Sequence, residues 1–131
     1  MFPRIDKGPI EYDLQIGSAW NTERKRNCLR FLFHTTEEFH HFRYEITVEH
    51  SISDGHMEFH LKGLKPRIMG MPGVGHAEKV VDVFDASGTY TVSVVKPGEI
   101  RNDFEVRVKG ERITLVRPIS SEGAFITISI V

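Results

Sequence analysis

The chain has 131 residues, enough for one domain spanning 1–131 and too few for two ordinary ones, and a core of that size needs no disulfide or metal to hold it. Lysine and arginine total 17 against 18 for aspartate and glutamate, a net charge of −1 that argues against nucleic acid or any other phosphate-dominated partner. One cysteine leaves no intramolecular disulfide to form, and no apolar run approaches the roughly 20 residues that membrane insertion would need.

Residues 1–9 read as an extended arm punctuated by Pro3, Gly8 and Pro9. The stretch from Met1 to Asp6 has no basic region followed by an apolar run. With a lone cysteine this favours the cytoplasm, and a secreted or periplasmic location is the alternative for a chain already trimmed of its leader. Ile10, Tyr12, Leu14 and Ile16 then alternate with Glu11, Asp13 and Gln15, a first strand with one wet face. Gly17 to Asn27 is polar and is expected to be a loop pinned by Trp20, with Arg24, Lys25 and Arg26 as a solvated charge cluster. Cys28 to His34 is apolar apart from Arg30 and His34 itself, as a central strand would be, and Cys28 reads as a small buried hydrophobe. The Thr-x-x-Glu spacing at Thr35–Glu38 predicts a single capped helical turn.

From His41 to Lys62 the pattern is that of a long hairpin. Phe42, Tyr44, Ile46 and Val48 alternate with polar residues, and after Asp54-Gly55 so do Met57, Phe59 and Leu61. With Asp54 and Gly55 as the centre of a type I′ turn, Ile52 faces Met57 and Val48 faces Leu61 inside. Outside, Ser51 meets Glu58, Glu49 meets His60 and Thr47 meets Lys62. A four-residue loop of the same parity is the alternative. Gly63 to His76, with four glycines and two prolines, is expected to be a long irregular loop over 63–76.

Strand patterns follow at Val80–Phe84 and Tyr90–Val94, and at Phe104–Val108 before a tight turn at Lys109-Gly110, which would set Val106 against Ile113 and Phe104 against Leu115. Ala124 to Ile130 is a last strand without a charged side chain, a composition that calls for a paired or buried edge. Eight or nine strands and no long helix predict an all-β fold, an antiparallel β-sandwich of immunoglobulin-like type, with a closed antiparallel β-barrel as the alternative. The segment from Asp85 to Val94, with its Gly88-x-Tyr90, resembles the late-strand segment of immunoglobulin-like and fibronectin type III-like domains. That resemblance implies that the Tyr90 hydroxyl closes a corner.

Seven histidines invite a metal reading. The hairpin register gathers Glu49, Glu58 and His60 on one outer face as candidate zinc ligands, although His56 and His60 stand ~13 Å apart at strand spacing, too far to share an ion. Met69, Met71 and His76 are thioether and imidazole donors suited to copper. The run Met71-Pro72-Gly73-Val74-Gly75-His76 ahead of a Gly-x-Tyr strand resembles small extracytoplasmic copper-associated β-sandwich domains. For both sets the simpler reading is preferred, in which no metal binds and these side chains form ordinary cross-strand pairs or rest on the sheet. No Gly-x-Ser-x-Gly elbow fixes a nucleophile beside a base, so a hydrolase of unknown substrate is the least supported class. The favoured function is a non-catalytic protein-interaction or ligand-binding module, with another protein or a second copy of the chain, as a homo-oligomer, for partner.

Overall fold

Among the described residues, period-two alternation is realised as strands. The computed structural model describes residues 10–40, 43–66, 75–120 and 122–131. Within them run β1 (Tyr12–Asn21), β2 (Arg26–Phe39), β3 (Tyr44–Ser53), β4 (His56–Pro66), β5 (Gly75–Val83), β6 (Gly88–Lys96), β7 (Ile100–Lys109), β8 (Arg112–Arg117) and β9 (Ile126–Ile130). The fold is all-β, in the order β8-β7-β6-β4-β3-β5-β2-β1-β9.

These strands form one mixed sheet, nearly closed and barrel-shaped, so the barrel is the architecture realised and not two separate sheets. Nor is it antiparallel throughout: β1 with β9, β4 with β6 and β3 with β5 run parallel. The sheet nevertheless has two halves, β8-β7-β6-β4-β3 and β5-β2-β1-β9. They meet at a single paired position, Glu45 with Glu78, and the Lys79 ammonium donates to Glu45 Oε1 (2.9 Å) across the join. What carries the chain round this corner is β2. The stretch where a capped helical turn was expected stays extended, but its register against β5 shifts between His34 and Glu38. Bulges of this kind bend a strand and sharpen its twist. At the bulge the buried Thr35 hydroxyl accepts the Ala77 N–H (3.0 Å) and donates to the Glu37 carbonyl (2.8 Å), replacing a missing rung.

Apolar side chains of even parity on β1 and odd parity on β2 and β4 fill the interior, and Leu14, Ile16, Phe31, Phe33, Ile46, Phe59, Leu61, Val92 and Phe104 are all buried. Phe59 links the halves, its ring centre 4.7 Å from that of Phe31 and 5.3 Å from that of Phe33. The opposite side is fastened around Phe125. Its N–H donates to Asn102 Oδ1 on β7 (2.9 Å), while its carbonyl accepts the N–H groups of Glu11 (2.8 Å) and Tyr12 (3.2 Å). Beside it Lys96 of β6 pairs with the carboxylate of Glu11 and lies 5.1 Å from the Phe125 ring centre.

The hairpin register is as expected from Ser53 opposite His56 to Val48 opposite Leu61, including Glu49 opposite His60. Beyond that the ladder slips: Thr47 faces Gly63, not Lys62, because Lys62 is inserted as a bulge beside Gly63, whose φ is 154°. The turn is not type I′ either. Only Gly55 has positive φ (70°), and type I′ needs it at both central residues. At the β7–β8 turn, Gly110 (φ 61°) and Glu111 are the central residues, so Val106 faces Leu115 and Val108 faces Ile113. The expected register was two residues out, an error that parity cannot detect, since both registers match apolar to apolar. Gly17 to Asn21 continues β1 and only Thr22–Lys25 turns, so Trp20, 54% exposed, stands on a strand and not in a loop. The expected loop at 63–76 is trimmed at both ends, because β4 runs to Pro66 and β5 starts at Gly75. The remainder, with Met69 and Met71, lies outside the described residues, as do Phe42 and the arm over 1–9.

Two substitutions test this account. Phe59→Ala removes the shared contact of the two halves and is expected to cost about 3–5 kcal/mol, enough to unfold a marginal protein, in a urea titration. Lys96→Met strands the mostly buried Glu11 carboxylate and is expected to cost about 3 kcal/mol, with Glu11→Gln in the same chain restoring most of it. Equal losses in the single and double variants would show that the ion pair is not what fastens this side.

Candidate functional site

The outer face of β4, β6 and β7 collects polar side chains because the same alternation that buries Met57, Phe59, Val92 and Phe104 turns their neighbours outward. The Glu58 Oε1 atom is hydrogen-bonded to His60 Nε2 (2.7 Å) and its Oε2 lies 3.6 Å from Arg101. Ser93, 2% exposed, donates its hydroxyl hydrogen to Asp103 Oδ1 (2.5 Å) and sits 2.9 Å from His56 Nε2. A serine, a histidine and an aspartate thus meet, but in the wrong order for nucleophilic catalysis. A triad places imidazole between hydroxyl and carboxylate so that it takes the serine proton. Here the hydroxyl is in the middle, its one hydrogen is committed to Asp103, and His56 Nε2 must carry the proton in their contact. The arrangement locks β4, β6 and β7 together and activates nothing.

Of the candidate metal ligands, Glu58 and His60 touch each other while Glu49 turns to Lys62 (3.8 Å). Among the described residues no three His, Cys, Asp or Glu side chains are grouped as a metal would need. His76 opens β5 and its Nδ1–H donates to the Thr35 carbonyl (2.6 Å), with the His34 ring edge-on at 5.5 Å. Met69 and Met71 lie outside the described residues.

Cys28 is buried on β2 beside Asp82. Burial first, and then the Asp82 carboxylate, push its thiol pKa up, which keeps it protonated and unreactive. Asp82 itself is gripped by Arg30 through both oxygens (2.8 and 2.9 Å) and by the Asn21 amide (2.8 Å). The Arg30 bond holds its carboxyl below the usual aspartate range against the opposing effect of burial.

Two stretches of open space among the described residues have apolar linings and volumes of about 300 Å³. One is a cavity of about 300 Å³ at the barrel mouth, floored by Leu29, Val83, Val108 and Ile113 and rimmed by Arg26, Asp85 and Glu111. The other, also about 300 Å³, is a groove along the seam between β8 and β9, lined by Leu115, Ile119, Ile126 and Ile128 with Ile10 and Pro118. Neither was visible in the sequence, since each joins segments with no shared local pattern. The Ser93–Asp103 contact had a signal, because Pro97-Gly98 marks the β6–β7 turn from which that pairing follows.

Because its folded pKa is lowered, Asp82 contributes stability that is present above the unfolded value near ~3.9 and lost as pH falls through the folded value. Melting temperature measured from pH 6 down to about pH 2 is expected to fall less steeply in Asp82→Asn than in the parent chain. Parallel curves would remove the Arg30–Asp82 pair from the acid response.

Comparison with protein-family models, with curated proteins and with solved structures gives no match for this chain.

Proposed function

We propose that the protein is a non-catalytic interaction module that pairs with a second copy of itself along the free edge of β9. The observation that carries this reading is the seam. Among the described residues β8 and β9 end the sheet, each paired on one side only, and the groove between them is apolar. An unpaired edge presents a row of backbone donors and acceptors to another strand. The sequence of β9, Ile126-Thr127-Ile128-Ser129-Ile130, alternates identically in both directions. Two copies related by a two-fold axis at Ile128 would set Ile126 against Ile130 and Thr127 against Ser129, apolar to apolar and polar to polar. The edge of β8 is a poorer choice, because the same arrangement would bring Arg112 and Arg117 of the two copies together.

Sedimentation or light scattering over a concentration series is expected to give the mass of two chains. Ser129→Lys, which adds a charge to the edge, is expected to give one chain with a stability change within about 0.5 kcal/mol. A mass of one chain at every concentration would sink the reading; so would a dimer that survives the lysine.

A further inference from the structure

The mouth cavity has a floor of one chemistry and a rim of another. Leu29 and Val83 come from β2 and β5, Val108 and Ile113 from the β7–β8 hairpin, and all four belong to or pack on the core. Leu29, Val83 and Val108 are themselves buried, so the floor is the outermost layer of the core at this end. A volume of about 300 Å³ holds on the order of ten non-hydrogen atoms at roughly 30 Å³ per water-sized volume. This is the lower end of the size at which small-molecule pockets occur, and the mouths of β-barrels are a common place for them.

The rim carries a guanidinium. Arg26 is ion-paired with Asp85, and its charged carbon lies 5.0 Å from the centre of the Phe84 ring. Asp85 reaches it from a left-handed backbone (φ 62°), a conformation that aspartate adopts more readily than most residues. One Arg26 nitrogen is used by that pair; a guanidinium has five N–H donors, so others are free to bind. Arg24 stands 5.5 Å from the same ring and forms no ion pair among the described residues. Of the charged side chains that line the mouth, Arg26 is the cation, with Asp85 paired to it and Glu111 on the hairpin side.

We propose that the mouth cavity binds a small amphiphile with an aliphatic body and a carboxylate head, the body on Leu29, Val83, Val108 and Ile113 and the head on Arg26. Glu111 opposes the carboxylate. The site draws on side chains that β9 pairing leaves untouched, so it stands apart from the self-association above.

The single tryptophan reports on this site, because Trp20 is paired with Asn27 and Asn27 lines the cavity. The full chain is titrated with octanoate and with octylammonium, following Trp20 fluorescence and the heat released. Octanoate is expected to bind saturably, one per chain, and at least about tenfold more tightly than octylammonium. Arg26→Gln is expected to weaken octanoate by about tenfold and leave octylammonium unaffected, while Glu111→Gln tightens octanoate. Ala86→Phe, which fills the mouth from its edge, is expected to abolish binding of both with an unchanged circular dichroism spectrum. Octanoate that fails to saturate, octylammonium that binds as tightly, or octanoate affinity unchanged in both Arg26→Gln and Ala86→Phe would overturn the proposal.

Discussion

The barrel depends on how its two halves are fastened where no ladder joins them. β7 and β1 belong to opposite halves, and the backbone of one residue, Phe125, hydrogen-bonds to both through Asn102 on one side and Glu11 with Tyr12 on the other. Each of those groups is buried or nearly so, and an unpaired polar group there would carry its full desolvation cost. Lys96 and Glu11 add a charge pair over the same ring. The pair's own net stabilisation is small by general experience with buried ions, but losing either partner is costly, so it works as a specificity device for this closure.

The opposite fastening is apolar. Phe59 comes from the five-strand half and rests on Phe31 and Phe33 of the four-strand half. Tilted ring pairs at these distances contribute beyond the area they bury. With the core holding one side and the Phe125 clasp the other, the mouth and the seam are left as the places where neither is complete. Both candidate sites lie there, which fits the general preference of ligands and strands for unfilled apolar surface and unpaired edges.

Residue alternation made the strands and their inner faces legible, and the Asp54-Gly55 hairpin was readable to the paired residue up to Val48 and Leu61. What escaped was everything that alternation does not encode. A two-residue displacement at Gly110 preserves parity, so only the turn geometry distinguishes it. At Thr35–Glu37 three residues of β2 stand against one of β5, an excess of two that a period-two pattern absorbs without a mark, whereas the single insertion at Lys62 moves the buried face from Leu61 to Leu64. Tyr90 does accept a hydrogen bond from the Ser87 N–H (3.0 Å), as the immunoglobulin-like resemblance implied, yet the sheet around it is a nearly closed barrel. A corner of that kind is a local device of the turn. The candidate sites were less legible still: the mouth cavity draws Arg26, Val83 and Ile113 from segments far apart in the chain, and only the closing of the sheet brings them together.

The parallel pairing of β1 with β9 joins Asp13 to Thr127, residues 114 apart in sequence. Contacts so distant carry a large loop-closure entropy and form late, so the chain is expected to be a slow folder for its size. On the ribosome β1 and β2 emerge first and can pair at once, but β1 keeps one bare edge until the last strand has been synthesised. For most of its birth the protein therefore exposes the strand it will eventually cover with β9, a window in which a chaperone or a neighbouring nascent copy has access to it.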